Sequence, residues 1–310
     1  MSTLICGSVA YDSIMLFKGR FRDHILPDQV HILNVSFLVP EMRREFGGCA
    51  GNIAYNLRML GGAPWPMATV GDDATPYIER LERLGIERRF VRHVPGQFTA
   101  QAFITTDLDD NQITAFHPGA MNESHLNEVP RDGSVRLGII APDGRDGMLQ
   151  HAGQFADDGI PFVFDPGQGL PMFNGEELRW FIARARYVAV NDYEARMLEE
   201  RTGLALADLA RNVEALVVTR GAQGSEIHTG GKLLRIPIAK ARQEADPTGC
   251  GDAYRAGLLY GIANALDWET TGRLAAVMGS LKIEHAGGQN HPGDRDVIRD
   301  RFKQAFGYAW

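Results

Sequence analysis

The segment from Asp246 to Asp252 has the residue types and spacing best suited to catalysis. It reads Asp-Pro-Thr-Gly-Cys-Gly-Asp and runs directly into residues 253–263, an amphipathic stretch that predicts a helix. Gly249 and Gly251 allow a tight turn, and the free N–H groups of a helix start favour an anion. Because Asp252 would repel that anion, it is better suited to accept a proton. The segment indicates phosphoryl transfer to a hydroxyl group, although a capped helix start with loop glycines would have the same local sequence.

The composition limits the class of protein. The 310 residues are 44% hydrophobic and include 35 glycines, which fits one large α/β domain or a domain with a smaller appendage. The net charge is −7 and no basic face is evident, so nucleic acid and membrane are not expected as partners. The longest apolar runs have the length of strands, and the first residues do not resemble a signal peptide. Three widely spaced cysteines argue against a disulfide framework and predict a cytoplasmic protein.

From about residue 138 onward, short apolar runs alternate with helical patterns. The predicted strands occupy residues 137–141, 162–164, 187–190 and 216–219, and the predicted helices occupy residues 148–156, 176–185 and 193–201. Short apolar strands separated by helices form parallel βαβ units that are covered by helices on both faces. We therefore expect an α/β fold built on a parallel sheet.

Polar residues follow three of these predicted strands. Asp165, Asn191 and Thr219 each come just after the last apolar position of a run. In an open parallel sheet, ligands bind beyond the carboxyl ends of the strands. We therefore expect the three side chains to point at one common site, although each of them alone could simply begin a turn.

The first third of the chain has a different pattern. Alternating, strand-like segments occupy residues 13–18, 31–39, 100–106 and 112–116. Residues 107–111 are acidic and predict a hairpin turn between the last two segments. Because these segments interrupt the βα pattern, we expect them to form a small antiparallel sheet that acts as a lid. The predicted organisation is one catalytic domain over residues 1–310, with a discontinuous lid at about 13–40 and 99–118.

A second glycine turn precedes a predicted helix at residues 53–60. Gly47 and Gly48 do not directly follow the first strand, which argues against a dinucleotide-binding fingerprint, and no P-loop sequence is present. Asn52 stands at the helix start, where it would either cap the helix or hydrogen-bond a substrate hydroxyl. Asp12 follows the first predicted strand, and its two oxygens suit a pair of sugar hydroxyls.

Two further segments could contact a nucleotide. Asn191 and Glu194 have the spacing N-x-x-E, which could hold Mg²⁺ through water or form a capping box at the helix start. Residues 220–224 follow the strand ending at Thr219. This glycine-containing turn either allows a phosphate to approach the backbone or is an ordinary hairpin.

Together these motifs resemble those of the ribokinase-like carbohydrate and nucleoside kinases, the PfkB family, over nearly the whole chain. The matching motifs are the early Gly-Gly pair at Gly47 and Gly48, the N-x-x-E motif at Asn191 and Glu194, and the late D-T-G-A-G-D motif at residues 246–252, with Pro247 inserted and Cys250 in place of alanine. Within the family, residues 7–12, 36–39 and 116–121 are most similar to bacterial adenosine kinases. The resemblance implies a ribokinase-like parallel sheet with helices on both faces and a small antiparallel β lid.

The resemblance also implies roles for individual residues. Asp252 would be the base for the ribose 5′-hydroxyl. The amides of Gly249, Cys250 and Gly251 would form the anion hole, while Asp12, Gly48 and Asn52 would hold the ribose hydroxyls. The adenine side would be lined by Ser8, Ser36, Phe103 and Gln168, with Phe103 stacked on the base. Thr219, Gly221, Asn191 and Gly251 would approach ATP, and Asn191 and Glu194 would organise Mg²⁺.

Three functions are consistent with these residues. The first is an ATP-dependent adenosine kinase, and the second is a ribose-type sugar kinase or a broader purine nucleoside kinase with the same base. Phe103 and Phe116 discriminate between a nucleoside and a sugar, because a free sugar has no flat ring to stack. The third is a nucleotide-binding sensor, which would have no use for Asp252. The sequence leaves open whether a monovalent cation such as K⁺ lies near Asp246, and the lid is a candidate homodimer interface.

Overall fold

The computed structural model describes residues 2–25, 34–109 and 111–310, which form two sheets and the helices packed on them. The strands are β1 (Ser2–Cys6), β2 (Ala10–Leu16), β3 (Glu41–Gly47), β4 (Ala63–Val70), β5 (Val91–His93), β6 (Ala100–Thr106), β7 (Gln112–His117), β8 (Leu137–Ile140), β9 (Phe162–Phe164), β10 (Tyr187–Asn191), β11 (Ala215–Thr219), β12 (Ser225–Thr229) and β13 (Lys232–Ile236).

Most of the α-helices lie between strands in the chain, and the last three follow one another after β13. They are α1 (Cys49–Met59), α2 (Thr75–Arg83), α3 (Arg145–Asp157), α4 (Gly175–Ile182), α5 (Asp192–Thr202), α6 (Leu206–Ala210), α7 (Cys250–Ala263), α8 (Trp268–Ile283) and α9 (Arg295–Phe306). None of these helices is both long enough and apolar enough to span a bilayer.

The larger sheet has nine strands in the order β13-β12-β11-β10-β9-β8-β1-β4-β5. The pairs on either side of β12 are antiparallel, and the other pairs are parallel. The βαβ units expected from the alternating pattern are therefore confirmed. The carboxyl ends of the central strands lie along one edge, where an open α/β sheet binds its ligands.

The strands of the larger sheet are apolar at successive positions because both of their faces are buried. Ala215 and Val217 of β11 belong to a core formed with α1, α2, α7, α8 and α9. Leu216 and Val218 of the same strand belong to a second core, formed with α3, α4, α5 and α6. The two cores cover opposite faces, which makes the sheet a rigid platform for the residues at its edge.

The smaller sheet has the strand order β3-β2-β6-β7. The β2–β3 and β6–β7 pairs are antiparallel, and the acidic turn predicted at residues 107–111 does connect β6 with β7, although Asp110 lies outside the described residues. The central pair, β2 with β6, is parallel and joins Ala10 to Ala100. The small sheet is confirmed, and its parallel pair was not expected from the sequence.

One strand of the small sheet differs from the prediction. Of the segment predicted at 31–39, residues 31–33 lie outside the described part of the chain, and residues 34–39 contain no strand. The sheet instead uses β3, whose sequence Glu-Met-Arg-Arg-Glu-Phe-Gly is mostly charged. Pairing with β2, which places Glu45 opposite Asp12, makes this segment extended despite its polar sequence.

Candidate active site

The start of α7 forms an anion-binding turn. Gly249 precedes the helix with φ +79°, in the left-handed region that glycine adopts readily. The Cys250 amide donates to the Pro247 carbonyl at 3.1 Å, and the first helical bond runs from Ala253 to Gly249 at 3.0 Å. The helix geometry therefore leaves the amides of Gly251 and Asp252 without an intrahelical acceptor. The anion-hole role expected for Gly249, Cys250 and Gly251 stays a prediction, in which the Cys250 amide already has the Pro247 carbonyl as an acceptor.

Open space lies in front of this turn. Gly251 is exposed, and a Cβ added to it would meet no heavy atom of the described residues within 4 Å. An anion placed there would contact free N–H groups at the positive end of the α7 dipole. The helix predicted at residues 253–263 thus begins three residues earlier, at Cys250, and its first turn is the candidate phosphate site.

Asp252 lies in that first turn and is held by Asn52. The Asn52 amide Nδ2 donates to Asp252 Oδ2 at 2.8 Å. Burial raises the pKa of Asp252 to about 7, the Asn52 hydrogen bond and the Arg255 guanidinium oppose the rise, and the carboxylates of Asp165 and Asp12 add to it. A carboxylate with a pKa near neutrality is suited to accept a proton from a hydroxyl.

Asn52 is itself fixed by a network that the sequence did not reveal. Its Oδ1 accepts from Gln289 Nε2 at 3.1 Å, and the same Gln289 group contacts the Tyr77 hydroxyl at 2.7 Å. The Tyr77 hydroxyl in turn donates to the Gly47 carbonyl at 2.7 Å. A side chain at Gly288 would collide with Asn52, since its Cβ would lie 2.6 Å from Oδ1. Asn52 therefore holds Asp252 with little freedom of its own.

Asp12 extends from β2 toward the same cleft. A Cβ at Gly47 would lie 2.4 Å from Asp12 Oδ2, so a side chain there would displace this carboxylate. Gly48, at φ +83°, packs against the backbone of residues 8–10. Burial raises the pKa of Asp12 to about 6, and the nearby charges of Glu45 and Asp246 add to the rise. The structure thus brings Asp12, Gly48, Asn52 and Asp252 together.

The register of the small sheet decides which aromatic side chain faces this cleft. Glu45, Asp12, Ala102 and Phe116 form one row across the four strands. Side chains in such a row lie on one face, and successive residues alternate between faces. Phe116 therefore shares the face of Asp12, whereas Phe103 lies on the opposite face. The register therefore favours Phe116, which is 52% exposed, over Phe103 for stacking on a base, and both assignments stay predictions.

The other residues predicted for the adenine side are less well placed. The Ser8 hydroxyl accepts from the Cys49 amide at 3.1 Å and so helps to begin α1. Ser36 is exposed in a segment without regular secondary structure. Gln168 is also exposed, and it lies in a short 3-10 helix, Gly167–Met172. These three assignments stay predictions.

The residues predicted for the nucleotide lie at the carboxyl ends of neighbouring strands. Asn191 and Thr219 are paired in register at the ends of β10 and β11. Gly221 follows at φ +52°, and a Cβ there would meet no heavy atom of the described chain within 4 Å. Asp165, after β9, is buried in an ion pair with Arg255 of α7 at 3.0 Å. The sequence did not identify Arg255, because a helix-interior arginine gives no local signal of burial.

Asn191 and Glu194 form the capping box that the sequence offered as one of two alternatives. The Asn191 side chain accepts from the Glu194 amide at 2.8 Å, while its Nδ2 and backbone N–H donate to the two carboxylate oxygens at 2.8 Å each. Burial raises the pKa of Glu194, and so does the nearby Asp165. A bound cation would oppose both of these increases in the pKa of Glu194, so its carboxylate oxygens fit Mg²⁺. Among the described residues, no three His, Cys, Asp or Glu side chains form a metal cluster.

Behind the glycine turn lies a buried lysine that the sequence also did not reveal. Lys282 Nζ donates to the backbone carbonyls of Asp246 at 2.8 Å and His285 at 2.9 Å. The Asp246 carboxylate accepts from the amides of Thr248 and Gly287, at 2.8 Å each. Against the raising effect of burial, these hydrogen bonds hold the pKa of Asp246 below its usual range. The turn is thus fixed from its rear side by Lys282 and Asp246.

Comparison with known proteins identifies the family of this chain. Residues 9–294 match the pfkB family of carbohydrate kinases. The chain is 32% identical to a nucleoside kinase of Methanocaldococcus jannaschii over 274 residues, which cover 87% of this chain and 90% of that protein.

Solved structures extend the comparison. The nucleoside kinase of Burkholderia thailandensis in complex with inosine is similar at a TM-score of 0.90 and 54% identity, covering 99% of each chain. Its complex with ADP-inosine gives 0.88 and 56%, covering 99% of this chain and 97% of that one. A ribokinase of Thermotoga maritima shares the fold at a TM-score of 0.80 with 18% identity, covering 98% and 99%. The predicted ribokinase-like fold is confirmed, and the chain belongs to the pfkB family of carbohydrate kinases.

Proposed function

We propose that this chain is an ATP-dependent nucleoside kinase that phosphorylates the 5′-hydroxyl of purine nucleosides, with adenosine among its substrates. The observation that carries the proposal is the position of Asp252, in the first turn of α7 beside free amides and hydrogen-bonded to Asn52 at 2.8 Å. A base, a place for the nucleophile and an anion site are the parts that phosphoryl transfer requires. The inosine-bound relative supports a purine nucleoside as acceptor.

In the proposed reaction, Asp252 accepts the proton of the 5′-hydroxyl as that oxygen attacks the γ-phosphorus of ATP, and the bond from that phosphorus to the β–γ bridging oxygen breaks to release ADP. Asp12 and Asn52 hold the ribose hydroxyls, and the amides of Gly251 and Asp252 stabilise the charge on the transferred group. Mg²⁺, when bound, would neutralise charge on the phosphates, and Asn191 and Glu194 would hold it through water. Closure of the small sheet over the cleft would exclude water.

The row of side chains on the small sheet supports a nucleoside over a free sugar. Asp12 and Phe116 lie two strands apart, roughly 10 Å, with the small Ala102 between them. A nucleoside is long enough to place its ribose at Asp12 and its base on Phe116, whereas a pentose alone contacts only the Asp12 end. A ribose-type sugar kinase is the alternative function, because Asp12 and Asn52 would serve a sugar equally well.

The deciding experiment measures ADP release from ATP and Mg²⁺ with adenosine, inosine, guanosine and ribose as separate acceptors. We expect turnover with purine nucleosides and little with ribose. Turnover on ribose alone would keep Asp252 as the base but reject the nucleoside assignment. Nucleotide binding without turnover on any acceptor would indicate a sensor.

The role of Asp252 is tested separately by Asp252→Asn. This variant should lose roughly 100- to 10,000-fold in kcat, because the amide cannot accept the proton, while nucleoside binding is retained. Asp296→Asn, in the exposed first turn of α9, is the matched control and should keep full activity. Near-normal turnover of Asp252→Asn would exclude the proposed base.

The small sheet has an exposed apolar face that could form a homodimer interface. Met42, Phe103 and Ile113 lie on its face away from Asp12, with exposures of 68%, 42% and 43%. We propose that this face pairs two copies of the chain into a homodimer. Light scattering at working concentration would test this assembly, and a monomeric mass would reject it.

A cytoplasmic location is part of the proposal, on the basis of three unpaired cysteines.

A further inference from the structure

The Lys282 side chain is a buried cation that donates to two backbone carbonyls. It lies in the last turn of α8 and is 0% exposed. Its Nζ donates to the carbonyl oxygens of Asp246 at 2.8 Å and His285 at 2.9 Å, and neither acceptor is a carboxylate. A buried charge is costly unless hydrogen bonds compensate it, so the two carbonyls must be oriented to receive this ammonium group.

The carboxylate nearest in sequence to these carbonyls is used elsewhere. Asp246 Oδ1 accepts from the Thr248 amide and Oδ2 from the Gly287 amide, at 2.8 Å each. The ammonium group therefore has the kind of surroundings, oxygen atoms of main-chain carbonyls, that proteins use to hold a dehydrated monovalent cation. Burial lowers the pKa of Lys282, while the neighbouring Cys250 and Asp246 oppose that effect.

Lys282 joins the two segments that form the rear of the phosphate site. Asp246 leads into the glycine turn, and His285 leads into the segment containing Gly288. A Cβ added at Gly249 would lie 3.2 Å from Gly288 Cα and 3.7 Å from Lys282 Cε. The lysine stem is thus packed directly behind Gly249, which precedes α7, and a change in the ammonium group would shift the turn that presents the Gly251 and Asp252 amides.

We propose that Lys282 is a built-in monovalent cation, a positioning residue that orders the phosphate-binding turn and makes phosphoryl transfer independent of added K⁺. The inference rests on the proposed kinase function. The Lys282 ammonium group would supply the positive charge and make the carbonyl contacts that a bound monovalent cation would otherwise provide near Asp246.

The first test uses the unmodified protein. Turnover with ATP, Mg²⁺ and the best nucleoside is measured in KCl, NaCl and tetramethylammonium chloride at equal ionic strength, and rates should agree within about twofold. Activation of roughly tenfold or more by K⁺ would overturn the proposal, because a carbonyl site filled by Lys282 has no place for the ion.

The second test removes the ammonium group. Lys282→Ala should lose roughly 100-fold in kcat in tetramethylammonium chloride and regain much of it with K⁺, NH₄⁺ or ethylammonium, which can enter the vacated space. Lys303→Ala, at an exposed lysine of α9, controls for loss of one positive charge and should respond to no cation. A folded, slow Lys282→Ala that no cation stimulates would overturn the proposal.

A third measurement does not depend on activity. The Tm of Lys282→Ala should rise in KCl or ethylammonium chloride relative to tetramethylammonium chloride, whereas the Tm of the unmodified protein and of Lys303→Ala should not. A Tm of Lys282→Ala that is the same in all salts would overturn the proposal. If no nucleoside or sugar supports turnover, the proposed kinase function is rejected, and this Tm measurement still tests the role of Lys282. If Lys282→Ala does not fold, the salt dependence of turnover by the unmodified enzyme tests that role instead.

Discussion

Asn52 and Asp252 are 200 positions apart in the chain, and their side chains are joined by a hydrogen bond of 2.8 Å. The bond links α1 to α7 across the cleft, and it favours the charged form of Asp252 while burial favours the neutral form. The proton affinity of the candidate base is therefore set by the packing of two helices as much as by its own position.

The pH dependence of turnover follows from this balance. With the pKa of Asp252 at about 7, lowering the pH through 7 protonates the base, so kcat/KM should fall on the acid side. Asn52→Ala removes a hydrogen bond that lowers the pKa of Asp252. The decline of kcat/KM at acid pH, the acid limb of the profile, should therefore move to higher pH. Asn212→Ala, at an exposed asparagine, is the control and should leave the profile unchanged. An acid limb at the same pH in Asn52→Ala would contradict the assignment.

The faces of the small sheet predict a difference between two phenylalanines. Phe116→Ala should raise the KM for purine nucleosides roughly tenfold, because stacking on a base is lost, and leave kcat less affected. Phe103→Ala is the matched control on the neighbouring strand. Because Phe103 lies on the opposite face of the sheet, this variant should have an unchanged KM for purine nucleosides. The comparison of steady-state kinetics for the two variants checks the register directly, and the reverse result would restore Phe103 to the site.

The open space before Gly251 predicts a variant that folds but binds ATP poorly. Gly251→Ala adds a methyl group that meets no neighbour in the described chain within 4 Å, so its Tm should be normal or slightly higher. The methyl would occupy space meant for phosphate, and kcat/KM for ATP should fall by roughly 100-fold. Gly153→Ala, in α3, should leave kinetics unchanged. Full activity in Gly251→Ala would move the phosphate away from this turn.

The buried pair of Asp165 and Arg255 predicts a large effect on stability. Arg255→Met would leave the Asp165 carboxylate buried and unpaired, which should lower the free energy of unfolding by about 3–5 kcal/mol. Arg211→Met breaks an exposed pair with Asp208 and should cost less than about 1 kcal/mol. Urea denaturation of both variants measures the difference, and equal effects would show that burial does not control the cost.

Local sequence was sufficient for most of the elements, with β3 as an exception, and insufficient for their contacts. The glycines and aspartates of residues 246–252 identify the start of α7 because tight turns and helix starts require particular residue types. The contact of Lys282 with Asp246, and of Gln289 with Asn52, depends on the packing of distant segments, which no local pattern encodes. Similarly, the face occupied by Phe103 depends on the β2–β6 pairing, and β3 is extended because of its partner strand.

The parallel pairing of β2 with β6 has a consequence for how the chain reaches this structure. It brings Ala10 beside Ala100, and the intervening chain contributes β4 and β5 to the larger sheet and the helices α1 and α2 that pack on it. Closing so long a loop costs entropy that only contacts made earlier can offset. The small sheet should therefore be among the last parts to acquire protection against hydrogen exchange during refolding, and a fragment limited to its strands should not assemble alone.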